Sequence, residues 1–153
     1  MSDAPVFTHR FRVAFADTDL AGIVHFSNFF RYMENAEHEF IRSLGFSIHP
    51  EGSGATDLEV FPGFGWPRIS ATCDYKQPLR FEEELNVELY IREVDRKTIR
   101  YGFHFLQDGA SQPSAVGELK VICVIFDEAS KRMRATDIPD GIRERVEAAR
   151  SAI

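Results

Sequence analysis

The sequence predicts an α+β protein in which a five-stranded antiparallel sheet wraps around one long central helix, with a short helix at the C-terminal end. One segment places apolar residues at helical spacing, and five others show the alternation of apolar and polar residues that is typical of strands. Four of the predicted strands follow one another through short turns, which favours antiparallel pairing in one sheet. The single apolar helix is then the available cover for the apolar face of that sheet.

Length, charge and hydropathy limit the class of protein. The chain has 153 residues, and we therefore expect a single domain over residues 1–153. The 18 Lys and Arg residues are outnumbered by 24 Asp and Glu residues, and no basic run is present, so we expect no binding of nucleic acid. No stretch of about 18 consecutive apolar residues and no apolar signal core occur, so we expect no membrane span and a cytoplasmic location.

The first half of the chain contains the first strand and the central helix. Val6–Phe15 alternates loosely between apolar and polar residues and predicts a strand. After a turn-rich stretch, Ser27 or Asn28 can cap a helix that we predict over Phe29–Leu44, with Gly45 as its C-terminal stop. The apolar stripe of this helix is formed by Phe29, Met33, Ala36, Phe40 and Leu44, and the charged residues Glu34, Glu37, Glu39 and Arg42 lie mostly elsewhere.

The second half of the chain is predicted to be mostly extended. Phe46–Trp66 is rich in Gly and Pro and is expected to be an irregular excursion, and Asp140–Ala152 is expected to be a polar closing helix. The alternating segments predict strands from Pro67 to the turn at Gln77, from Leu85 to Arg92, from Thr98 to Phe105 and from Ala115 to Phe126.

Cysteine and histidine residues give no sign of a metal site. Cys73 and Cys123 lie far apart in the sequence, and the five histidines are scattered. We expect both cysteines to be reduced thiols, and we expect no metal.

Two carboxylates, Asp17 and Asp19, stand in a loop just ahead of the predicted helix N-terminus. The unpaired N–H groups and the helix dipole at that end would stabilise negative charge developing on a carbonyl oxygen. A carboxylate beside them could attack the carbonyl carbon or deprotonate a water molecule that does so. The alternative is that both Asp residues only cap turns. Gly22 would permit close approach of the backbone to a ligand.

The run Ala16–Glu34 resembles the signature of the 4-hydroxybenzoyl-CoA thioesterase family. Two further stretches, Ala71–Phe81 and Ala135–Pro139, are similar to later motifs of that family, so the resemblance covers nearly the whole chain. The signature positions are supplied, in order and without gaps, by Asp17, Asp19, Gly22, Ile23, Val24, Asn28, Arg31 and Tyr32.

This resemblance implies a hotdog fold, a homodimer or homotetramer, and active sites that form between subunits at the N-terminus of the central helix. It also implies hydrolysis of an acyl-CoA thioester, with the CoA moiety as part of the substrate and no separate cofactor. The catalytic carboxylate of the family falls on Asp19, as nucleophile or general base, and the N–H that polarises the thioester carbonyl falls on Phe26. We expect Gly22, His25 and Asn28 to contribute to substrate binding, with the Asn28 side chain bracing the loop.

The sequence departs from the family pattern at two places. Family members often carry Tyr or His where this chain has Phe26, and the His stands one place earlier, at His25. If only the backbone N–H acts, the change is harmless. If the reaction needs a side-chain proton donor, that donor would be missing at position 26. Whether His25 acts in the site or is structural stays open. The excursion Phe46–Trp66 is longer than is typical and would reshape the acyl pocket.

Other interpretations also remain open. The chain could be a non-catalytic acyl-CoA-binding hotdog protein, or a hotdog hydratase, which would need a His in a Pro-flanked loop. Another hotdog lineage uses a helical carboxylate, for which Glu34 and Glu37 are candidates. We expect the Phe-rich stripe to be core packing rather than an acyl tunnel, although Phe29 and Phe30 near the helix start could do both. We expect Lys131, Arg132 and Arg134 to form a solvated turn rather than a site for CoA phosphates.

Overall fold

The computed structural model describes residues 3–52, 54 and 57–152. Within these residues the chain forms an α+β arrangement in which the sheets are mostly antiparallel. In chain order the elements are β1 (Phe7–Arg12), a 3-10 helix (Phe15–Asp17), α1 (Asn28–Ser43), β2 (Phe46–Ser47), β3 (Glu59–Val60), β4 (Phe64–Gly65), β5 (Arg68–Tyr75), β6 (Glu84–Val94), β7 (Thr98–Gln107), β8 (Ala115–Ile122), β9 (Val124–Asp127), β10 (Arg132–Ala135) and α2 (Asp140–Ser151).

The main sheet has five antiparallel strands in the order β1-β6-β7-β8-β5. Strands β6, β7 and β8 pair as successive hairpins, as the short turns between them predict. The expectation that successive strands are neighbours is wrong for β5, which pairs with β8, with Arg68 opposite Val121 and Tyr75 opposite Ala115. Strand β5 therefore lies at an edge of the sheet, and most of its side chains are exposed.

The central helix α1 spans Asn28–Ser43 and begins and ends one residue before the predicted bounds. Its 16 residues equal the length of the predicted range, but at about four turns the helix is short, so the expectation of a long helix is wrong. Its apolar stripe is buried as predicted, with Phe29, Met33 and Phe40 all less than 5 % exposed. The helix therefore covers the apolar face of the main sheet through about four turns.

The two ends of α1 differ in how well the sequence predicts them. Gly45 adopts φ +90° directly after the helix, a left-handed conformation that favours glycine and confirms the predicted stop. At the start, Ser27 occupies the N-cap position but makes no side-chain capping bond, and its hydroxyl lies 2.8 Å from His25 Nδ1. The Asn28 amide instead donates to the Asp17 carbonyl oxygen, so the expected side-chain cap is wrong.

The core lies between α1 and the central strands of the main sheet. The inward-facing residues of β6 and β7 are buried as their alternation predicts, namely Leu85, Val87, Leu89 and Ile91 on β6 and Ile99, Tyr101, Phe103 and Phe105 on β7. Phe29 packs edge-on against Phe105, with ring centroids 5.3 Å apart. The described aromatic stripe is therefore packed core, as predicted.

The excursion Phe46–Trp66 contains more regular structure than the sequence predicts. The short strands β2 and β3 pair in parallel, and β4 joins β9 and β10 in a second, three-stranded antiparallel sheet. The predicted strand Ala115–Phe126 is divided between the two sheets, with the buried Cys123 at the break. Residues 53, 55 and 56 of the excursion lie outside the described residues.

The closing helix α2 packs on the core through Ile142 and Val146, which are each 2 % exposed or less. Neither it nor any other helix in the described part of the chain combines the length and apolarity needed to cross a membrane.

Candidate active site

Asp19 sits in a tight turn between the 3-10 helix and α1. Its backbone N–H donates to the Ile23 carbonyl at 2.8 Å, and its backbone carbonyl accepts from Gly22 N–H at 3.0 Å. The side-chain Oδ1 accepts from Ala21 N–H at 2.8 Å and from Ile23 N–H at 3.4 Å. Within the described residues no protein donor is paired with the second carboxylate oxygen, Oδ2. One oxygen therefore holds the turn, and the other is free to meet a ligand.

Asp17, two residues earlier, is bound quite differently. Its Oδ2 accepts from the Tyr32 hydroxyl at 2.9 Å. Its backbone carbonyl accepts from His25 N–H and from Asn28 Nδ2, both at 2.9 Å. Burial, followed by the Asp17 carboxylate, raises the pKa of Tyr32, which keeps that hydroxyl a donor. Asp17 therefore ties the loop to the first turns of α1.

The Phe26 backbone N–H has no acceptor within the described residues. This lack is local, because every other N–H from Ile23 to Phe30 donates to a protein acceptor. Among these bonds, Val24 N–H donates to the Leu79 carbonyl at 2.8 Å, and Ser27 N–H donates to His25 Nδ1 at 3.3 Å. Phe26 lies just before α1, where the positive end of the helix dipole adds to the field of a free N–H.

An open, largely apolar pocket of about 510 Å³ joins these groups. The loop supplies Asp19, Ile23, Val24 and Phe26, and α1 supplies Phe29. The opposite wall is the segment Tyr75–Leu79, at the end of β5. The residue whose carboxylate has a free oxygen and the residue whose N–H has no acceptor in the described part of the chain therefore line the same pocket, which is an arrangement suited to acyl transfer.

The predicted substrate-binding residues lie near the pocket but do not line it. Gly22 has φ +80°, which favours glycine, and closes the turn by donating to the Asp19 carbonyl. His25 bonds Ser27 through Nδ1 and stacks on Phe26 with ring centroids 4.5 Å apart. Asn28 bonds the Asp17 carbonyl. In this structure all three contact the loop that carries Asp19, and their part in substrate binding stays a prediction.

The far wall of the pocket, Tyr75–Leu79, is not among the site residues predicted from the sequence. The sequence does contain a signal for this wall, because the Asp-Tyr and Pro of the stretch Ala71–Phe81 are part of the family resemblance. What sequence reasoning lacked was the pairing that brings this wall to the loop. Ile23 bridges Arg80 in antiparallel fashion, and the Tyr75 hydroxyl donates to the Phe26 carbonyl at 2.9 Å.

The helical carboxylates are engaged elsewhere. Glu37 is 1 % exposed and accepts from Arg68 with both oxygens, at 2.5 and 3.1 Å, while Glu34 accepts from the same guanidinium at 3.1 Å. Burial is the main influence on Glu37 and raises its pKa, and the Arg68 charge opposes the shift. Glu37 thus lies on the buried face of α1, and the expectation that it lies elsewhere is wrong. Neither residue lines the pocket of Asp19.

Other candidate residues also lie away from this pocket. The basic residues Lys131, Arg132 and Arg134 are exposed in and beside β10. Cys73 and Cys123 are free thiols. Within residues 3–52, 54 and 57–152, no group of three or more His, Cys, Asp or Glu side chains is placed to hold a metal ion.

Comparison with known proteins identifies the family. The model of the thioesterase-like superfamily matches residues 13–146, which is most of the chain. The chain belongs to the thioesterase-like superfamily.

Two relatives of this thioesterase-like protein are named as an esterase and as a hydrolase of a CoA thioester. It is 39 % identical over 97 residues to an Aquifex aeolicus protein named as an esterase, covering 63 % of this chain and 70 % of that one. It is 24 % identical over 137 residues to the 1,4-dihydroxy-2-naphthoyl-CoA hydrolase of Synechococcus sp. WH7803, covering 90 % of this chain and 86 % of that one.

Solved structures agree with the hotdog fold of the thioesterase-like superfamily. A gentisyl-coenzyme A thioesterase superimposes with a TM-score of 0.70 at 30 % identity, covering 90 % of this chain and 99 % of that one. A 1,4-dihydroxy-2-naphthoyl-CoA thioesterase from Synechocystis superimposes with a TM-score of 0.76 at 22 % identity, covering 96 % of each chain, and at this identity it supports the fold alone.

Proposed function

We propose that this protein hydrolyses acyl-CoA thioesters to a free acid and CoA, with Asp19 as the catalytic carboxylate. The observation that carries the proposal is the joint lining of one pocket by Asp19 and by Phe26, whose N–H has no acceptor in the described part of the chain. Membership of the thioesterase-like superfamily and the names of the relatives support the same reaction. The motif in Ala16–Glu34 supports the finer assignment to the 4-hydroxybenzoyl-CoA thioesterase family.

In the proposed reaction the thioester carbonyl lies between Asp19 and the Phe26 N–H. The N–H stabilises the negative charge that develops on the carbonyl oxygen, with the dipole of α1 behind it. Asp19 either attacks the carbonyl carbon, giving an enzyme-bound anhydride that water then hydrolyses, or takes a proton from water as that water attacks. Both routes break the carbon–sulfur bond, consume one water and release CoA thiolate, which takes up a proton.

We propose an aromatic acyl group as the preferred substrate. Phe26, Phe29 and Tyr75 line the pocket, and Phe29 and Tyr75 meet edge-on with ring centroids 5.0 Å apart. Such a lining suits a flat aromatic ring through offset or edge-on packing. Two relatives are named for aromatic thioesters, 1,4-dihydroxy-2-naphthoyl-CoA and gentisyl-CoA.

We propose that the active protein is a homodimer or a dimer of dimers. Strand β5 is an eight-residue edge strand with most side chains exposed, including Ile69 at 52 %. An open, partly apolar edge of this length is a template for pairing with a second chain. The pocket opens at the end of that same strand, so a second copy on β5 would lie beside it.

The test is a screen of thiol release from a panel that contains benzoyl-, naphthoyl-, hexanoyl- and palmitoyl-CoA. We expect hydrolysis, with the highest kcat/KM for the aromatic thioesters. Release of no thiol from any thioester, with acyl-CoA still bound, would favour the non-catalytic binding protein. Hydration of an unsaturated acyl-CoA without thiol release would favour the hydratase.

A further inference from the structure

The last residue of β5 carries a hydroxyl that the reaction described above does not use. Tyr75 lines the pocket, and its hydroxyl donates to the Phe26 backbone carbonyl at 2.9 Å. Its ring meets Phe29 edge-on, with centroids 5.0 Å apart, so the hydroxyl is aimed by a packed ring. Tyr75 thus contacts the residue whose N–H is proposed to bind the thioester carbonyl.

Phe26 itself has few other bonds to hold it in place, although the N–H groups of its neighbours are bonded. Its side chain is 63 % exposed, and its N–H has no acceptor in the described part of the chain. Its carbonyl also accepts from Phe29 N–H, but at 3.4 Å, which is long for such a bond. The Phe26 carbonyl therefore accepts two hydrogen bonds, and the one from the Tyr75 hydroxyl is the shorter.

The backbone at Tyr75 is held by the main sheet, while the residue is 46 % exposed. It pairs with Ala115 on β8, and the next two residues, Lys76 and Gln77, both donate their N–H groups to the Ser114 carbonyl, at 2.8 and 3.0 Å. Burial is the main influence that raises the pKa of Tyr75, so the hydroxyl keeps its proton around neutral pH. The Tyr75 hydroxyl is therefore carried by the main sheet and not by the loop whose Phe26 carbonyl it bonds.

We infer that Tyr75 is a positioning residue, whose hydroxyl fixes the Phe26 segment so that the Phe26 N–H points at the thioester carbonyl oxygen. This inference rests on the proposed hydrolase function. The bond joins the edge of the main sheet to the start of α1, so it fixes the distance between the two walls of the pocket. An N–H that stabilises a developing oxyanion has to be oriented before the reaction, because its contribution depends on distance and direction.

The test compares Tyr75→Phe with wild type, because this change removes the hydroxyl and keeps the ring that packs on Phe29. We expect kcat to fall about 10-fold with KM within about 2-fold, which is less than the roughly 10²–10³-fold cost of removing an oxyanion donor outright. The carbonyl ¹³C resonance of Phe26 should also shift, because it loses a hydrogen bond. Tyr90→Phe is the matched control, since its hydroxyl lies 3.4 Å from Glu88 on β6 and does not line the pocket.

The possible outcomes separate this inference from the proposed function. If wild type releases thiol and Tyr75→Phe keeps its kcat, the positioning role is overturned and the hydrolase proposal stands. If kcat falls but the Phe26 carbonyl resonance does not move, the hydroxyl acts on the substrate directly, and the inference is overturned as well. If wild type releases thiol from no thioester, the hydrolase proposal fails, and an unmoved Phe26 resonance would then also refute the hydrogen bond.

Discussion

Replacing Asp19 by Asn isolates the chemistry of this residue from its part in the turn. Asp19 Oδ1 accepts from Ala21 and Ile23, and an Asn Oδ1 can accept both bonds in the same place. The change therefore keeps the turn while the remaining oxygen becomes an NH₂ group, which is neither a base nor a useful nucleophile. We expect the protein to fold and kcat to fall by about 10²–10⁴-fold, while the affinity for acyl-CoA stays close to wild type.

Asp17→Asn is the internal control, because Asp17 also uses its carboxylate for a structural bond. Its Oδ2 accepts from the Tyr32 hydroxyl at 2.9 Å, and an amide oxygen can accept that bond too. Hydrogen bonds to a charged oxygen become bonds to a neutral one, two in Asp19→Asn and one in Asp17→Asn, with a loss of about 1 kcal/mol for each bond. For a chain of 153 residues this corresponds to about 2–4 °C in Tm. We therefore expect both variants to lose a few degrees in Tm, slightly more for Asp19→Asn, and to differ strongly in turnover.

The assay measures thiol release with the best acyl-CoA from the substrate panel, at saturating concentration, together with thermal unfolding of each variant. The expected pattern is a turnover within about 5-fold of wild type for Asp17→Asn and a collapse for Asp19→Asn. Equal losses in both variants would mean that the loop charge as a whole matters and not one carboxylate. Wild-type turnover in Asp19→Asn would refute the assignment of Asp19.

Four further predictions concern association, stability, thiol reactivity and metals. Ile69→Lys places a charge on the β5 edge and should weaken self-association in sedimentation experiments; an unchanged dimer would exclude β5 from the interface. Arg68→Ala leaves the buried Glu37 carboxylate without its main partner and should lower the free energy of unfolding in urea by about 3–5 kcal/mol. That loss should be smaller at pH 5 than at pH 8, because the raised pKa of Glu37 lets the folded protein take up a proton as the pH falls. Burial is the main influence that raises the pKa of Cys73 to about 11, so its labelling by a disulfide reagent should be slow at pH 8 and rise about 10-fold per pH unit up to pH 10. Prolonged treatment with a chelator should leave thiol release unchanged, and recovery of a lost activity by zinc would contradict the carboxylate mechanism.

Alternation in the sequence predicted burial where a strand lies in the middle of the sheet and failed at its edge. Strands β6 and β7 each have two neighbours and one face on α1, so their apolar residues are buried as predicted. Strand β5 alternates in the same way, yet Ile69 is 52 % exposed because β5 has a neighbour on one side only. The position of β5 depends on pairing with β8, about 40 residues later in the chain, and local periodicity carries no information on such pairing.

Glu37 shows the same limit on the helix. It stands four residues after Met33 and four before Ile41, so helical spacing places it on the buried stripe between two core residues. Its charge was the reason for expecting it on the outer face. Burial is tolerated here because Arg68 reaches it with two hydrogen bonds from the first residue of β5. That partner is 31 residues away in sequence, and only the folded chain brings the two together.

The two Asp residues of the loop are bonded to different partners, and the difference follows from where donors are available. Asp17 lies within reach of α1, where Tyr32 donates to one carboxylate oxygen and Asn28 donates to the backbone carbonyl, so Asp17 ties the loop to the helix. Asp19 lies two residues further from that anchor, where the available donors are the N–H groups of its own turn. Those groups reach one carboxylate oxygen only. Asp17 therefore anchors the loop to α1 outside the pocket lining, whereas Asp19, whose Oδ2 has no protein donor in the described part of the chain, lines the pocket together with Phe26.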